Sequence, residues 1–340
     1  MVHVVDKLYQ EMDEKQSPLV IGLDPNLDKF PAPLLQQMTE KYKLNKDSSD
    51  LDYFAAAAEA IKMFNFAIID ATADLVAMFK PQSAYYEQYG HLGIKVLEET
   101  AAHIRSKGCM ADLDAKRNDI GPTSAAYAEA HLGEVTMVDG TKRRSLDDFD
   151  FITTNAYLGS DGIKPFTKVA DRDNKGIFVL AKTSNPGSGE LQDLVLEDGK
   201  TVYAKMGELI NQWGESNIGE RNYSNVGAVV GATHGDQAAV LRKLLKHVLF
   251  LMPGYGAQGG KADILVAGFN EDGYGAVVNS SRGITYAFAD EKFLKRHPRF
   301  AGKPEMFAEA ARQSAIDSVA EINGVLHEKH KLPAGWKKTA

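Results

Sequence analysis

Eight short apolar runs, spaced along 340 residues and separated by helical patterns, constrain this chain more than any other feature. They are PLVIGLD (18–24), DLVAMFK (74–80), CMADLDAK (109–116), DFITTNAY (150–157), GIFVLAKTS (176–184), NVGAVVGAT (225–233), HVLFLMPG (247–254) and YGAVVNSS (274–281). Their apolar parts are near-continuous rather than alternating, the pattern of parallel strands covered on both faces. Helical periodicity fills the gaps over 53–73, 91–108, 235–247 and 306–328; Gly108 ends the second, and Gly235-Asp236 opens the third with a start signal. Eight strands alternating with helices predict an α/β fold, a (β/α)8 or TIM barrel. An open doubly wound sheet is the structural alternative. Two polar stretches near 133–148 and 185–224 have no core of their own and read as insertions, the first with an Asp-Gly turn suited to a small hairpin, the second with a helix inside. Residues 1–330 are therefore expected to form one barrel domain and residues 331–340 a C-terminal tail.

Bulk properties exclude several function classes. A net charge of −7 and a pI near 5.8 give no global basic field for nucleic acid or an anionic membrane, although local donors can still hold a small anion. No run reaches the roughly 18 uninterrupted apolar residues of a membrane span. The opening MVHVVDKLYQEMDEKQ is an amphipathic helix pattern without a basic segment followed by an apolar one, so no signal peptide is expected. Cys109 is the only cysteine, which rules out an intrachain disulfide and fits a cytoplasmic protein. The nine histidines and one cysteine form no metal-ligand spacing, though carboxylates could still hold Mg²⁺.

In a (β/α)8 barrel the C-terminal strand ends and the loops after them build the site. Those ends here carry Asp24, Lys80, Asp114 with Lys116, Asn155, Thr183 with Ser184, Thr233 with His234, Pro253, and Ser281 with Arg282. Charge is uneven: acids and lysines sit on the first three strands and a lone arginine follows the eighth, which implies one reactive side and one anion side. In DLDAKRNDIGPT (112–123), Asp114 and Lys116 are two apart in a segment read as extended, so both face one way, and Asp119 lies beyond the strand. A lysine among carboxylates stays an ammonium, since each contact at ~4 Å and an effective dielectric of ~20 is worth about 4 kcal/mol before desolvation. Such a lysine can donate a proton or stabilise negative charge developing on carbon. Lys80 on the neighbouring strand could extend the set to alternating Lys and Asp; a structural ion-pair cluster at the rim is the bland reading. The second constellation is PGYGAQGG (253–260) with NSSRG (279–283): Gly254, Gly256, Gly259 and Gly260 permit an inward-facing nest of amides, and Arg282 offers planar bidentate contact where barrels often hold phosphate. Asp24 in GLDPN either accepts a sugar hydroxyl or makes an Asx turn before Pro25. His234 reads as a capping or packing residue.

Taken in order, GLDPN (22–26), FKPQSAYYE (79–87), DLDAKRNDIGPT (112–123), KTSNPG (182–187), PGYGAQGG (253–260) and NSSRGI (279–284) resemble the orotidine 5′-phosphate decarboxylase family, in its longer bacterial subgroup. The resemblance spans most of residues 17–290. It implies a homodimeric barrel that turns orotidine 5′-phosphate into UMP and CO2, the last step of de novo UMP synthesis, with no cofactor and no metal. It further implies that Lys80, Asp114 and Lys116 form the charged array, that Asp119 joins it from the other subunit, and that Lys116 protonates C6. Asp114 would lie beside the substrate carboxylate, and Lys80, Asp24 and the partner copy's Thr123 would hold ribose hydroxyls. Ser184 would read the pyrimidine edge, Gln258 would bridge base and phosphate, and Arg282 with its neighbours Pro253, Gly259 and Ser281 would receive the phosphate. Asn118 replaces a glycine and Pro122 a small polar residue common among relatives, which puts loop geometry and the dimer contact in question rather than the chemistry. Three rivals remain: a Mg²⁺-dependent sugar-phosphate decarboxylase of a related barrel family, a Schiff-base aldolase using Lys80 or Lys116, and a non-catalytic nucleotide-binding barrel.

Overall fold

The computed structural model describes residues 2–233, 235–256 and 262–337. Among the described residues ten strands form: β1 (Leu19–Leu23), β2 (Met78–Pro81), β3 (Met110–Arg117), β4 (Glu134–Thr136), β5 (Lys142–Arg144), β6 (Phe151–Thr154), β7 (Gly176–Lys182), β8 (Val226–Val230), β9 (Phe250–Pro253) and β10 (Ala276–Ser280). Eight of them close into a barrel in the order β1-β2-β3-β6-β7-β8-β9-β10, with every neighbour parallel. The eight barrel strands fall within the eight apolar runs, apart from Pro81 and Arg117, each one residue past its run. The fold is the expected (β/α)8 barrel and not an open sheet. The remaining two, β4 and β5, form an antiparallel hairpin in the first polar stretch, turning at Gly140 with φ 81°.

The near-continuous apolar runs follow from two cores of opposite facing. Alternate residues such as Val20, Met78, Met110, Phe178, Val229, Leu251 and Val277 cluster inside the barrel. Their neighbours Leu19, Ile21, Phe79, Leu113, Ile152, Val179 and Val278 pack outward against the helices. The outer layer includes helices Asp50–Thr72, Gly90–Ser106 and Phe307–Glu328. Ser49 and Asp52 start the first of these with a reciprocal capping box.

The polar stretch 185–224 contributes to the barrel wall. Its helix Val202–Gly214, started by the Thr201 side chain, packs on β7 and β8 and supplies the helix between them. The helix expected inside this stretch is present, but the stretch is part of the barrel wall and not an insertion beside it.

The N-terminal helix Val4–Lys15 closes the bottom of the barrel. Val5, Leu8, Tyr9 and Met12 are fully buried against the inward-facing strand residues. Asp6 fastens this plug by accepting from the backbone amides of Glu220 (2.7 Å) and Arg221 (3.0 Å). Asp13 accepts from Tyr274 Oη at 2.6 Å and Trp336 Nε1 at 2.9 Å. The stretch read as a tail is thus docked as far as Lys337, whose amide donates to Gln16 Oε1.

Candidate active site

The opposite end of the barrel is open and charged. A cavity of about 560 Å³ there is lined by Asp24, Lys80, Asp114, Lys116, Ser184, Pro253, Ser281 and Arg282, among others. Eight residues singled out from the sequence are therefore brought together by strands that lie far apart in the chain.

Asp114 is the hub. Its Oδ2 accepts from Lys80 Nζ at 2.6 Å and its Oδ1 from Lys116 Nζ at 2.5 Å and Thr153 Oγ1 at 2.9 Å. Burial pushes this carboxyl up, but the two ammonium groups outweigh burial and hold it well below the usual carboxylate range. Lys80 is only 3% exposed. Burial works against its charge, yet Asp114, Asp24 and Asp112 surround it and raise it above an ordinary lysine. Lys80 and Asp114 are thus fixed as an ion pair, whereas the Lys116 side chain is 45% exposed and reaches into the open cavity.

The reason Lys116 meets Asp114 is not the one expected. The segment is not uniformly extended: the β3–β6 register shifts between Leu113 and Arg117, and Lys116 has φ 49°. A non-glycine residue in that left-handed region costs about 1 kcal/mol or more, and such strain collects at functional sites. The conformation is held by the Lys116 amide, which donates to Thr153 Oγ1 at 3.0 Å, so one threonine fixes both members of the pair. Arg117, next in sequence, points elsewhere and pairs with Glu87 at 2.6 Å.

Asp24 is partly buried, with its Oδ1 shut away from solvent. Burial raises its carboxyl, offset by Lys80 and a hydrogen bond from Ser281, and Oδ1 has no partner. The Asx-turn role that was its alternative falls to Asn26, whose Oδ1 accepts from the Asp28 amide. Tyr286 straps this segment down, donating to the Asp24 carbonyl at 2.9 Å and accepting from the Asn26 amide at 2.8 Å. Gly22 beneath it is obligatory, because a Cβ there would come within 1.9 Å of Ser281 Oγ.

On the far side Pro253 ends β9, Gly254 turns the chain with φ 102°, and Arg282 stands exposed at the rim with no carboxylate in ion-pair distance among the described residues. Gln258 and Gly259 lie outside the described residues. Ser184 lines the cavity beside Thr233, whose hydroxyl donates to its carbonyl at 3.3 Å.

Asp119 and Thr123 do not line the cavity. Asp119 Oδ1 accepts from the Ile120 amide, and Thr123 is exposed on helix Gly121–Leu132 beside a surface groove containing Ile120, Gly121 and Pro122. Asn118 is exposed and Pro122 sits in the first turn of that helix, where a missing N–H costs nothing.

Four features were missed from the sequence. Asp112 is fully buried with neither oxygen partnered, and burial pushes its carboxyl up to about 7, partly offset by Lys80. The Asp-Leu-Asp spacing could have shown that it shares a face with Asp114. Thr153 had no signal beyond its place in a strand. Gln192 arches over the mouth and clamps Thr183, accepting from its amide and donating to its hydroxyl, both at 2.9 Å. Lys182, wholly buried, anchors the same loop through Asp193 at 2.8 Å and Ser188 at 3.0 Å. No group of three or more His, Cys, Asp or Glu among the described residues is arranged to hold a metal ion. No helix among them is long and apolar enough to cross a membrane.

Fold and site together define a (β/α)8-barrel protein with a lysine–aspartate array facing an arginine across the C-terminal mouth. The sequence profile of the orotidine 5′-phosphate decarboxylase / HUMPS family matches residues 18–296. The orotidine 5′-phosphate decarboxylase of Rhodopirellula baltica is 42% identical over 304 residues, covering 89% of this chain and 93% of the relative. That of Clostridium perfringens is 39% identical over 323 residues, covering 94% and 98%. The structure of Leishmania donovani OMP decarboxylase superposes with a TM-score of 0.66 at 28% identity, covering 95% of this chain and 99% of that one. The chain belongs to the orotidine 5′-phosphate decarboxylase family, in its longer subgroup.

Proposed function

We propose that this chain converts orotidine 5′-phosphate to UMP and CO2, completing UMP synthesis, at the C-terminal mouth of the barrel. The observation that carries this reading is the Lys80–Asp114–Lys116 array set across one cavity from Arg282. The reaction breaks the bond between C6 and its carboxylate; the electron pair stays on C6 and CO2 departs. The resulting carbanion needs a stabiliser, and the Lys116 ammonium, steered by Asp114, meets it without reorganisation. Lys116 then gives one Nζ proton to C6, forming UMP, and recovers a proton from water. Asp114 lies beside the leaving carboxylate. Asp24 and Lys80 hold ribose hydroxyls, Ser184 reads the pyrimidine edge, and Gln258 bridges base and phosphate. Arg282, with Pro253, Gly259 and Ser281 around it, takes the phosphate, so binding energy gained far from C6 is used at the reacting carbon. The chemistry calls on no cofactor or metal.

A second copy of the chain supplies Asp119 and Thr123. Two facts support this: both residues lie outside the cavity of their own chain, and Lys116 is left with one carboxylate partner rather than two.

The test is loss of substrate absorbance on adding orotidine 5′-phosphate to purified protein, with and without EDTA. Conversion to UMP at the same rate in both is expected; no turnover by folded protein overturns the reading, and EDTA inhibition moves it to metal-assisted chemistry. For the partner residues, Lys116→Ala mixed with Asp119→Asn should recover activity that neither has alone. No recovery after verified subunit exchange places Asp119 outside the site.

A further inference from the structure

The buried carboxyl of Asp112 is used by none of the steps above. It precedes Asp114 by two residues on the same inward face of β3. The ladder pairs Met78 with Met110 and Phe79 with Ala111, so the next residues up, Lys80 and Asp112, stand side by side. Phe151 flanks it on β6. Asp114 gives both its oxygens to Lys80, Lys116 and Thr153, while both oxygens of Asp112 have none. An unpartnered carboxylate in an apolar layer is costly unless it takes up a proton. The charged groups facing it are Lys80 on β2, Asp114 and Lys116 on β3, and Asp24 after β1 through Lys80; β6 offers only Phe151 and Thr153.

Charge counting gives the consequence. With all groups ionised, the two lysines carry +2 and Asp24, Asp112 and Asp114 carry −3. A substrate that brings a carboxylate to Asp114 worsens that excess. We propose that Asp112 is a positioning residue that holds a proton in the substrate-loaded site, leaving the Lys80 ammonium committed to Asp114 and removing negative charge from beneath the bound anion. This rests on the proposed reaction. Ionised Asp112 competes with Asp114 for Lys80 and repels the substrate carboxylate; protonated Asp112 does neither. The elevation of this carboxyl to about 7 in the free protein fits a group that anion binding tips to the neutral form.

The test compares wild type with Asp112→Asn, which keeps the shape and lacks the charge. In wild type, kcat/KM should fall about tenfold per pH unit above the neutral range; in the variant that limb should be absent. Binding at pH 7.5 of a non-reacting UMP analogue that carries an anionic group at C6, measured calorimetrically in buffers of different ionisation enthalpy, should take up more protons in wild type than in the variant. A third reading needs no ligand. Folded Asp112 retains a proton that the unfolded chain has already lost, so wild-type Tm should decline as pH rises from about 4 through about 7, and Asp112→Asn should flatten that decline. The same alkaline limb and the same proton uptake in both proteins overturn the proposal. A flattened Tm slope with no turnover of orotidine 5′-phosphate by wild type instead sinks the reaction and leaves the buried titration standing.

Discussion

The two ends of the barrel solve opposite problems with the same strands. At the bottom, Val5, Leu8, Tyr9 and Met12 of the first helix fill the opening, and the hydroxyl and carboxylate that enter it are met by backbone: Tyr9 Oη accepts from the Gly275 amide, and Asp6 takes two backbone amides. At the top, carboxyls are buried that the fold does not satisfy. Asp24 Oδ1 and both oxygens of Asp112 have no partner, Lys80 is enclosed among three acids, and Lys116 is held in a left-handed backbone. The lower end gains stability from apolar burial, and the upper end gives some of it up to keep charges dry and in place. That division matches the usual asymmetry of such barrels, in which the lower face serves stability and the upper face chemistry.

Substitutions can break that contrast at either end. The largest effect is expected for Asp114→Ala, which strands Lys80 in the interior. Removing one member of a buried pair costs about 3–5 kcal/mol of stability, and turnover should vanish with it; denaturant unfolding and the absorbance assay read the two. Tyr9→Ala at the bottom should cost a similar ~3–5 kcal/mol from the cavity it leaves, but with kcat unchanged at a temperature where the variant stays folded. A matching loss of kcat there would mean that the two ends are coupled. Arg282→Ala should be smaller still, raising KM for orotidine 5′-phosphate by roughly 10–100-fold, as for a lost charge-assisted contact worth about 1.5–3 kcal/mol, with little change in Tm. An unchanged KM would remove Arg282 from phosphate binding.

How much of this could be read in the sequence follows from what each feature needs. The eight strands were legible because burial on both faces writes continuous apolar runs, and Val20 between Leu19 and Ile21 is such a case. The charged array was legible because strand ends are predictable and Lys80, Asp114 and Lys116 fall on them. The left-handed turn at Lys116 was not, since it arises from a register shift that only the Thr153 contact on β6 explains. The helix inside 185–224 was legible but its place in the barrel wall was not, because the polar loops on either side of it read as an insertion, and the lower plug looked like an ordinary amphipathic start. Asp112 was overlooked because the charged pattern was taken to begin at Asp114; only enclosure reveals that it has no partner. The Gln192 and Lys182 contacts depend on how one loop folds back over the mouth, which no local spacing encodes.

The central claim is that chemistry belongs to the upper end and that Lys116 performs it. The most direct measurement is orotidine 5′-phosphate turnover by Lys116→Ala alongside its affinity for UMP. The account predicts a loss of at least about 10⁴-fold in kcat, from the removed proton donor and the removed stabilising charge together, with UMP still bound. Turnover within tenfold of wild type in a variant that binds UMP normally would contradict it.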